Sequence, residues 1–278
     1  MRVVRTVSGM RTARRLMDGP VGFVPTMGYL HRGHTSLVEL SKKYNDSTVV
    51  VSIFVNPTQF GPKEDFDKYP RDEARDLAML EKAGVDIVFL PARQEMYPRG
   101  FDTLVEVKGI TDMLEGAARP GHFLGVATVC NKLFNIVRPQ RAYFGQKDAQ
   151  QVLVIQKMVT DLNMNLEIVV APTLREPNGL AMSSRNVYLN SDERKAATVL
   201  YRVLLKAKAM RQAGEHESET IRRTMMEMIQ AEPLAKIDYV SIADTISLQE
   251  LHQIHSQALV SLAVRFGNTR LIDNIVLS

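Results

Sequence analysis

Val21-Gly22-Phe23-Val24, continued by Pro25-Thr26-Met27-Gly28-Tyr29-Leu30-His31-Arg32-Gly33-His34, is the stretch that decides the fold. Val21 to Val24 read as a buried strand, 25–34 as a glycine-bearing loop, and Leu37, Val38 and Leu40 as the apolar face of a following helix. Open α/β sheets bind ligands at strand-to-helix turns of this kind. The helix N-terminus offers backbone N–H groups and a partial positive charge. Gly28 and Gly33 would let backbone approach a phosphate without a Cβ in the way. Two imidazoles three residues apart, His31 and His34, can hydrogen-bond one anionic group. Taken alone, His-x-x-His also describes two unrelated histidines or a metal pair. No third ligand or metal-binding acid lies nearby in the sequence, so no metal site is assigned.

Outward from this stretch, strand and helix alternate. Thr48 to Phe54 is rich in β-branched residues and reads as a strand. A helix is expected over 72–84, with Leu77 and Leu80 inward and Gly84 as its stop. A strand follows over 85–90, closed by Pro91. Further along come a helix over 125–137, a short strand over 142–144, and a helix with Val152, Ile155, Val159 and Leu162 on one face. A strand over 166–170 completes the series. Such alternation implies a parallel sheet covered by helices, an α/β fold. After Pro172 the pattern changes. Asn190-Ser191-Asp192-Glu193 reads as a capped helix start, with Ala196, Val199, Val203 and Ala207 along one face. A second helix is expected over 218–231, then strands over 238–242 and 258–266. The boundary falls near Thr173, giving domains 1–173 and 174–278, the second a smaller α+β unit.

Composition bounds the function. The 278 residues are 45% hydrophobic, enough to bury a full core. Apolar runs such as Val152-Leu153-Val154-Ile155 are too short to cross a bilayer, so no membrane span is read. Arg2, Arg5, Arg11, Arg14 and Arg15 precede the first acid, Asp18, which faintly resembles a transit peptide. The reading taken is a first strand, Val3 to Val7, and a helix with an arginine-rich exposed face. The single cysteine, Cys130, permits no intrachain disulfide and fits a reducing cytoplasm; buried packing is its expected role. The net charge of +4 is spread among 31 acids without a block of like charge. There is no tryptophan, and aromatics amount to 6%, so no nucleic-acid partner is read.

Two further segments carry chemistry. Phe144-Gly145-Gln146-Lys147-Asp148 sits at another strand-to-helix turn: Lys147 can reach phosphate, and Asp148 can accept from ribose hydroxyls. It reads equally well as an ordinary glycine turn with a charged helix start. Gly179-Leu180-Ala181-Met182-Ser183-Ser184-Arg185-Asn186 offers two hydroxyls and an arginine, suited to a mobile phosphate clamp or to a polar surface loop.

Together these segments resemble the HIGH-motif nucleotidyltransferases, with 27–34 as the signature and 182–185 as the second, flexible phosphate motif. More narrowly, the blocks 25–34, 54–60, 69–71, 119–123, 144–151 and 180–186 are similar to those of the ligases that join pantoate to β-alanine. The resemblance implies a Rossmann-like domain over 1–173 that binds ATP and pantoate, and a C-terminal lid domain over 174–278. It implies Mg2+ with the ATP, a homodimer, and a two-step reaction through a pantoyl adenylate. By motif, Met27, Gly28, Tyr29, Leu30, His31, Arg32, Gly33 and His34 line the ATP site, with His34 as proton donor and His31 on phosphate. Gly145, Gln146, Lys147, Asp148, Leu174, Met182, Ser183, Ser184 and Arg185 complete it. His31, His34, Lys147 and Arg185 are the catalytic set, able to neutralise charge on departing pyrophosphate. Gln59 and Gln151 hold pantoate, Gln59 also facing β-alanine; amides that donate and accept suit a hydroxyacid. Val126, Val129, Cys130 and Phe144 match an apolar wall around pantoate, a pocket-lining role for Cys130 beside the core reading. Tyr29, Arg32, Thr35, Gln146 and Ala149 depart from the commonest family pattern. The alternative, another HIGH-motif nucleotidyltransferase with a phosphorylated acceptor, would favour arginine or lysine where Gln59 and Gln151 stand.

Overall fold

The structure is a computed structural model that describes residues 1–62 and 64–278. It divides into two units, Met1–Gly145 with Gln150–Pro172, and Gln146–Ala149 with Thr173–Ser278.

The first unit is a six-stranded sheet of β1 (Arg2–Val4), β2 (Val21–Thr26), β3 (Thr48–Ile53), β4 (Ile87–Phe89), β5 (Arg141–Gly145) and β6 (Glu167–Ala171). The order is β1-β4-β3-β2-β5-β6, and every pairing is parallel. Successive side chains of a strand face opposite ways, and the core follows that rule. Phe23 and Val50 pack into one apolar cluster, Val24, Val49 and Val51 into another. The first is closed by the helices Val7–Arg15, His122–Val137 and Ala149–Asp161, the second by Arg32–Lys43 and Glu73–Lys82. Strand order reverses at β2, which pairs with β3 on one side and β5 on the other. The turn 27–34 leaves the carboxyl end of β2 at this switch point, the usual ligand position in such sheets.

Several boundaries differ from the sequence reading for local reasons. β1 ends at Val4 because the Thr6 hydroxyl caps the next helix, accepting from Gly9 N at 3.1 Å. Leu162 is 53% exposed, since its helix stops at Asp161. The helix expected over 125–137 begins earlier, at His122.

The second unit pairs the helices Val199–Gln212 and Ser218–Gln230 with an antiparallel sheet of β7 (Ala235–Asp244), β8 (Ala258–Phe266) and β9 (Thr269–Leu277). Asn190 caps the helix Ser191–Ala196 by accepting from Asp192 N and Glu193 N, while the Glu193 carboxylate accepts from Asn190 N. β9 was not expected from the sequence. Among the described residues, no helix is long and apolar enough to cross a membrane.

Candidate active site

The turn after β2 is built around its two histidines. His31 is the N-cap of the helix Arg32–Lys43, and its Nδ1 accepts from Gly33 N at 3.1 Å. His34 Nδ1 accepts in return from His31 N at 3.2 Å. The reciprocal cap brings the ring centroids to 4.1 Å. A neutral imidazole that accepts at Nδ1 carries its proton on Nε2. Both rings are thereby set as Nε2–H donors.

Most backbone amides of the turn are engaged within the protein itself. Gly28 N donates to Thr26 Oγ1 at 3.2 Å, Tyr29 N and Leu30 N to the Asp76 carboxylate at 2.7 Å each, and His34 N to His31 O at 2.8 Å. His31 N and Gly33 N are held by the two histidine rings. Gly28 is also required by the turn itself. Its φ is +83°, and a Cβ there would come within 3.1 Å of Asp76 Oδ2. Tyr29 also has positive φ, 49°, and its ring lies under Arg75, 5.0 Å from the guanidinium carbon.

Asp76 is thus central to the loop, and sequence reading missed it. Its side chain is only 2% exposed. Burial raises its pKa above the ordinary carboxylate value, with the two amides and Arg75 pulling the other way. Arg75 Nη1 stands 3.7 Å from it, and Arg75 Nη2 donates to Leu30 O at 2.9 Å. One signal was present: Asp76 lies four residues before the inward Leu80, so an acid occupies an apolar helix face.

Gln59 ends the short 3-10 turn Pro57–Gln59, capped by Asn56. Asn56 Nδ2 donates to Gln59 Oε1 at 3.0 Å and to Gly125 O at 3.1 Å, while Tyr97 OH donates to Asn56 Oδ1 at 2.7 Å. Gly125 is needed for this approach, since a Cβ would fall 2.3 Å from Thr58 O. The Gln59 backbone carbonyl accepts from His122 Nδ1 at 2.8 Å; His122 Nε2 accepts from Arg119 Nη1 at 3.0 Å. Arg119 in turn grips Glu64 through Nε and Nη2 at 2.6 and 2.8 Å. Burial, reinforced by Arg119, pushes the His122 pKa down to about 4, so this relay is neutral at the imidazole near pH 7. Asn56, Tyr97, Arg119 and His122 therefore fix the orientation of Gln59.

With its carbonyl fixed, the Gln59 amide nitrogen donates to Met27 Sδ at 3.0 Å. A thioether is a weak acceptor, so this N–H can transfer to a carboxylate at little cost. The contact joins the two expected subsites, placing an amide donor beside the first residue of the histidine turn. Gln151 lies in the first turn of Ala149–Asp161 and is partly exposed. Its neighbour Gln150 is buried and structural, accepting from Glu115 N and donating to Ile110 O and Met113 O. Val126, Val129, Cys130 and Phe144 all lie in one apolar cluster. Burial raises the Cys130 thiol to about 12, so it packs there as an inert hydrophobe.

In the second unit, the turn Gln146–Asp148 is held by Asn274, and Lys147 Nζ lies 3.4 Å from Asp148 Oδ1. Leu174 and Met182 are partners across a hairpin, Met182 N donating to Leu174 O at 3.0 Å. Glu176 N donates to Leu180 O at 2.8 Å. The segment that leads into the expected clamp is therefore a hydrogen-bonded hairpin over 174–182. Arg175 pins it, with Asp273 at 2.6 and 2.9 Å, Gly179 O at 3.2 Å and the Tyr201 ring at 3.9 Å. Ser183 then caps the turn Ser184–Tyr188, accepting from Arg185 N at 3.3 Å.

The model of the family "Pantoate-beta-alanine ligase" matches residues 2–276. The chain belongs to the pantoate–β-alanine ligase family. A pantothenate synthetase of Herpetosiphon aurantiacus is 60% identical over the whole of both chains. One of Roseiflexus castenholzii is 61% identical, over 100% of this chain and 99% of its own. Among solved structures, the pantothenate synthetase of Thermus thermophilus superposes with a TM-score of 0.95 at 51% identity, covering 99% of each chain. The pantoate–β-alanine ligase of Francisella tularensis, complexed with β-γ ATP and β-alanine, has a TM-score of 0.82 at 35% identity. That match covers 99% of this chain and 97% of the other.

Four of the five residues expected to depart from the family pattern have a visible local setting, Arg32 being the exception. Tyr29 stacks with Arg75, and the Thr35 hydroxyl donates to Arg32 O at 3.2 Å. Gln146 Nε2 donates to Asn274 Oδ1 at 3.1 Å, a contact no carboxylate could make. Ala149 is buried.

Proposed function

We propose that the ATP-dependent condensation of pantoate with β-alanine, the reaction of this family, runs in two steps. A carboxylate oxygen of pantoate attacks the α-phosphorus, forming a C–O–P bond and breaking the bond to pyrophosphate. The amine of β-alanine then attacks the acyl carbon of the pantoyl adenylate, the amide forms, and AMP departs with the carboxylate oxygen. The observation that carries this reading is the Gln59–Met27 contact, which sets a carboxylate-binding amide at the mouth of the histidine turn.

His34 and His31 present Nε2–H donors to the phosphates, matched to charge that grows as pyrophosphate leaves. Met27, Gly28, Tyr29, Leu30, Arg32 and Gly33 shape that turn around them. In the second unit Lys147, Ser183, Ser184 and Arg185 act on phosphate, Asp148 on ribose, and Gly145, Gln146, Leu174 and Met182 form the nucleotide walls. Gln59 and Gln151 hold pantoate. Among the described residues no three His, Cys, Asp or Glu side chains group to hold a metal ion. Mg2+ would arrive on the phosphates of ATP, as this hard cation usually does. A homodimer working in the cytoplasm completes the proposal.

Gln59→Ala and Gln151→Ala are expected to raise the KM for pantoate and leave that for ATP nearly unchanged. A lost hydrogen bond to a charged group costs about 1.5–3 kcal/mol, or roughly 10- to 150-fold in affinity. Steady-state kinetics on both substrates checks this; a selective loss of ATP binding would contradict the assignment.

A further inference from the structure

Two consecutive polar residues of β9, Asp273 and Asn274, are both buried, at 2% and 4% exposure. Neighbouring strand residues point to opposite faces, so β9 buries a polar group on each side. Buried polar groups are tolerated when hydrogen-bonded, and both are. Each one grips a segment that carries proposed ATP-binding residues.

Asp273 takes Arg175 in a two-pronged ion pair and also accepts from Asn274 N at 2.8 Å. Through Arg175 it holds the hairpin that runs into Ser183 and Arg185. Asn274 faces the other way. Its Oδ1 accepts from Gln146 Nε2 at 3.1 Å; its Nδ2 donates to Gln146 O at 3.0 Å and to Lys147 O at 2.8 Å. One side-chain amide thereby catches two successive carbonyls of a 3-10 turn. Both donors of Nδ2 are engaged, so the amide has one orientation. Gln146–Ala149 accordingly belong to the unit that contains β9, although the chain just before and just after them belongs to the other.

We propose that Asn274 is a positioning residue for the ATP reaction: by clamping the carbonyls of Gln146 and Lys147, it fixes where the Lys147 ammonium stands. The inference rests on the reading of Lys147 as a phosphate ligand. Asn274 itself touches no substrate; it acts through the backbone beneath Lys147. A lysine on an unclamped turn would have to be ordered by ATP at each binding event, which weakens binding.

A double-mutant cycle between Asn274→Ala and Lys147→Ala, read as the KM for ATP and kcat at saturating pantoate and β-alanine, tests the proposal. Asn274→Ala alone should raise the KM for ATP roughly three- to tenfold, with the KM for pantoate unmoved. In the Lys147→Ala background the same change should have almost no further effect. Equal effects of Asn274→Ala in both backgrounds would make Asn274 a general stabiliser and overturn the proposal. No effect of Lys147→Ala on ATP would instead overturn the role of Lys147, and the inference with it. If Asn274→Ala does not fold, Asn274→Asp serves the same cycle, since it keeps the shape and loses both donors.

Discussion

Replacing His34 by alanine lowers kcat about 10²–10³-fold, the usual cost of removing one donor to a developing oxyanion. Stability falls far less. The ring contributes one acceptor to the reciprocal cap, for His31 N, and loss of a capping contact costs about 1 kcal/mol. The helix Arg32–Lys43 keeps its other cap contact, His31 Nδ1 with Gly33 N, and its inward Leu37 and Val38. Turnover at saturating substrates, set beside the thermal unfolding midpoint, separates the two effects. Near-normal turnover, or unfolding well before the parent protein, would make His34 a structural residue.

Asp76→Asn should be damaging in both respects. The carboxylate accepts from two successive amides at once. Asparagine of the same size keeps one acceptor oxygen and turns an NH2 toward the other N–H. One buried amide then has no acceptor, and each such charged hydrogen bond is worth about 1.5–3 kcal/mol. The loss falls on Tyr29 and Leu30, and Tyr29 already carries the strain of a positive φ, 49°. Because the histidines are carried by that turn, a shift of about 1 Å there would lower kcat/KM for ATP on the order of 10²-fold. The negative charge of Asp76 does not repel ATP outright, since two amide dipoles and Arg75 face it. Denaturant midpoints and ATP kinetics measured on the same preparation check both parts. If neither moves, the turn is held by something other than Asp76.

The central sheet was legible because parallel strands, buried on both faces, are written as β-branched runs: Val49-Val50-Val51 needs no tertiary information to be placed. The histidine turn was legible for the same reason, since β2 and the apolar face of Leu37 and Val38 bracket it. What held that turn was not. The partners of Tyr29 N and Leu30 N lie 47 and 46 residues away on another helix, and no local pattern couples them. The expectation of open amides is narrowed on this point: Asp76 holds those of Tyr29 and Leu30, and the imidazoles hold those of His31 and Gly33. Gln59 was proposed only through family resemblance, and its supports Asn56, Tyr97 and His122 come from three separate segments. β9 escaped because Arg270, Asp273 and Asn274 interrupt its apolar alternation. Those interruptions are the side chains that grip Asp238, Arg175 and the turn of Lys147.

The chemistry turns on which phosphorus the carboxylate attacks, and on whether it attacks before the amine takes part. Exchange of labelled pyrophosphate into ATP, followed with pantoate present and β-alanine absent, measures both at once. Attack at the α-phosphorus with reversible formation of pantoyl adenylate predicts that label enters ATP with pantoate alone and does not enter without it. Exchange that strictly requires β-alanine, or release of ADP in place of pyrophosphate, would contradict the two-step adenylate mechanism.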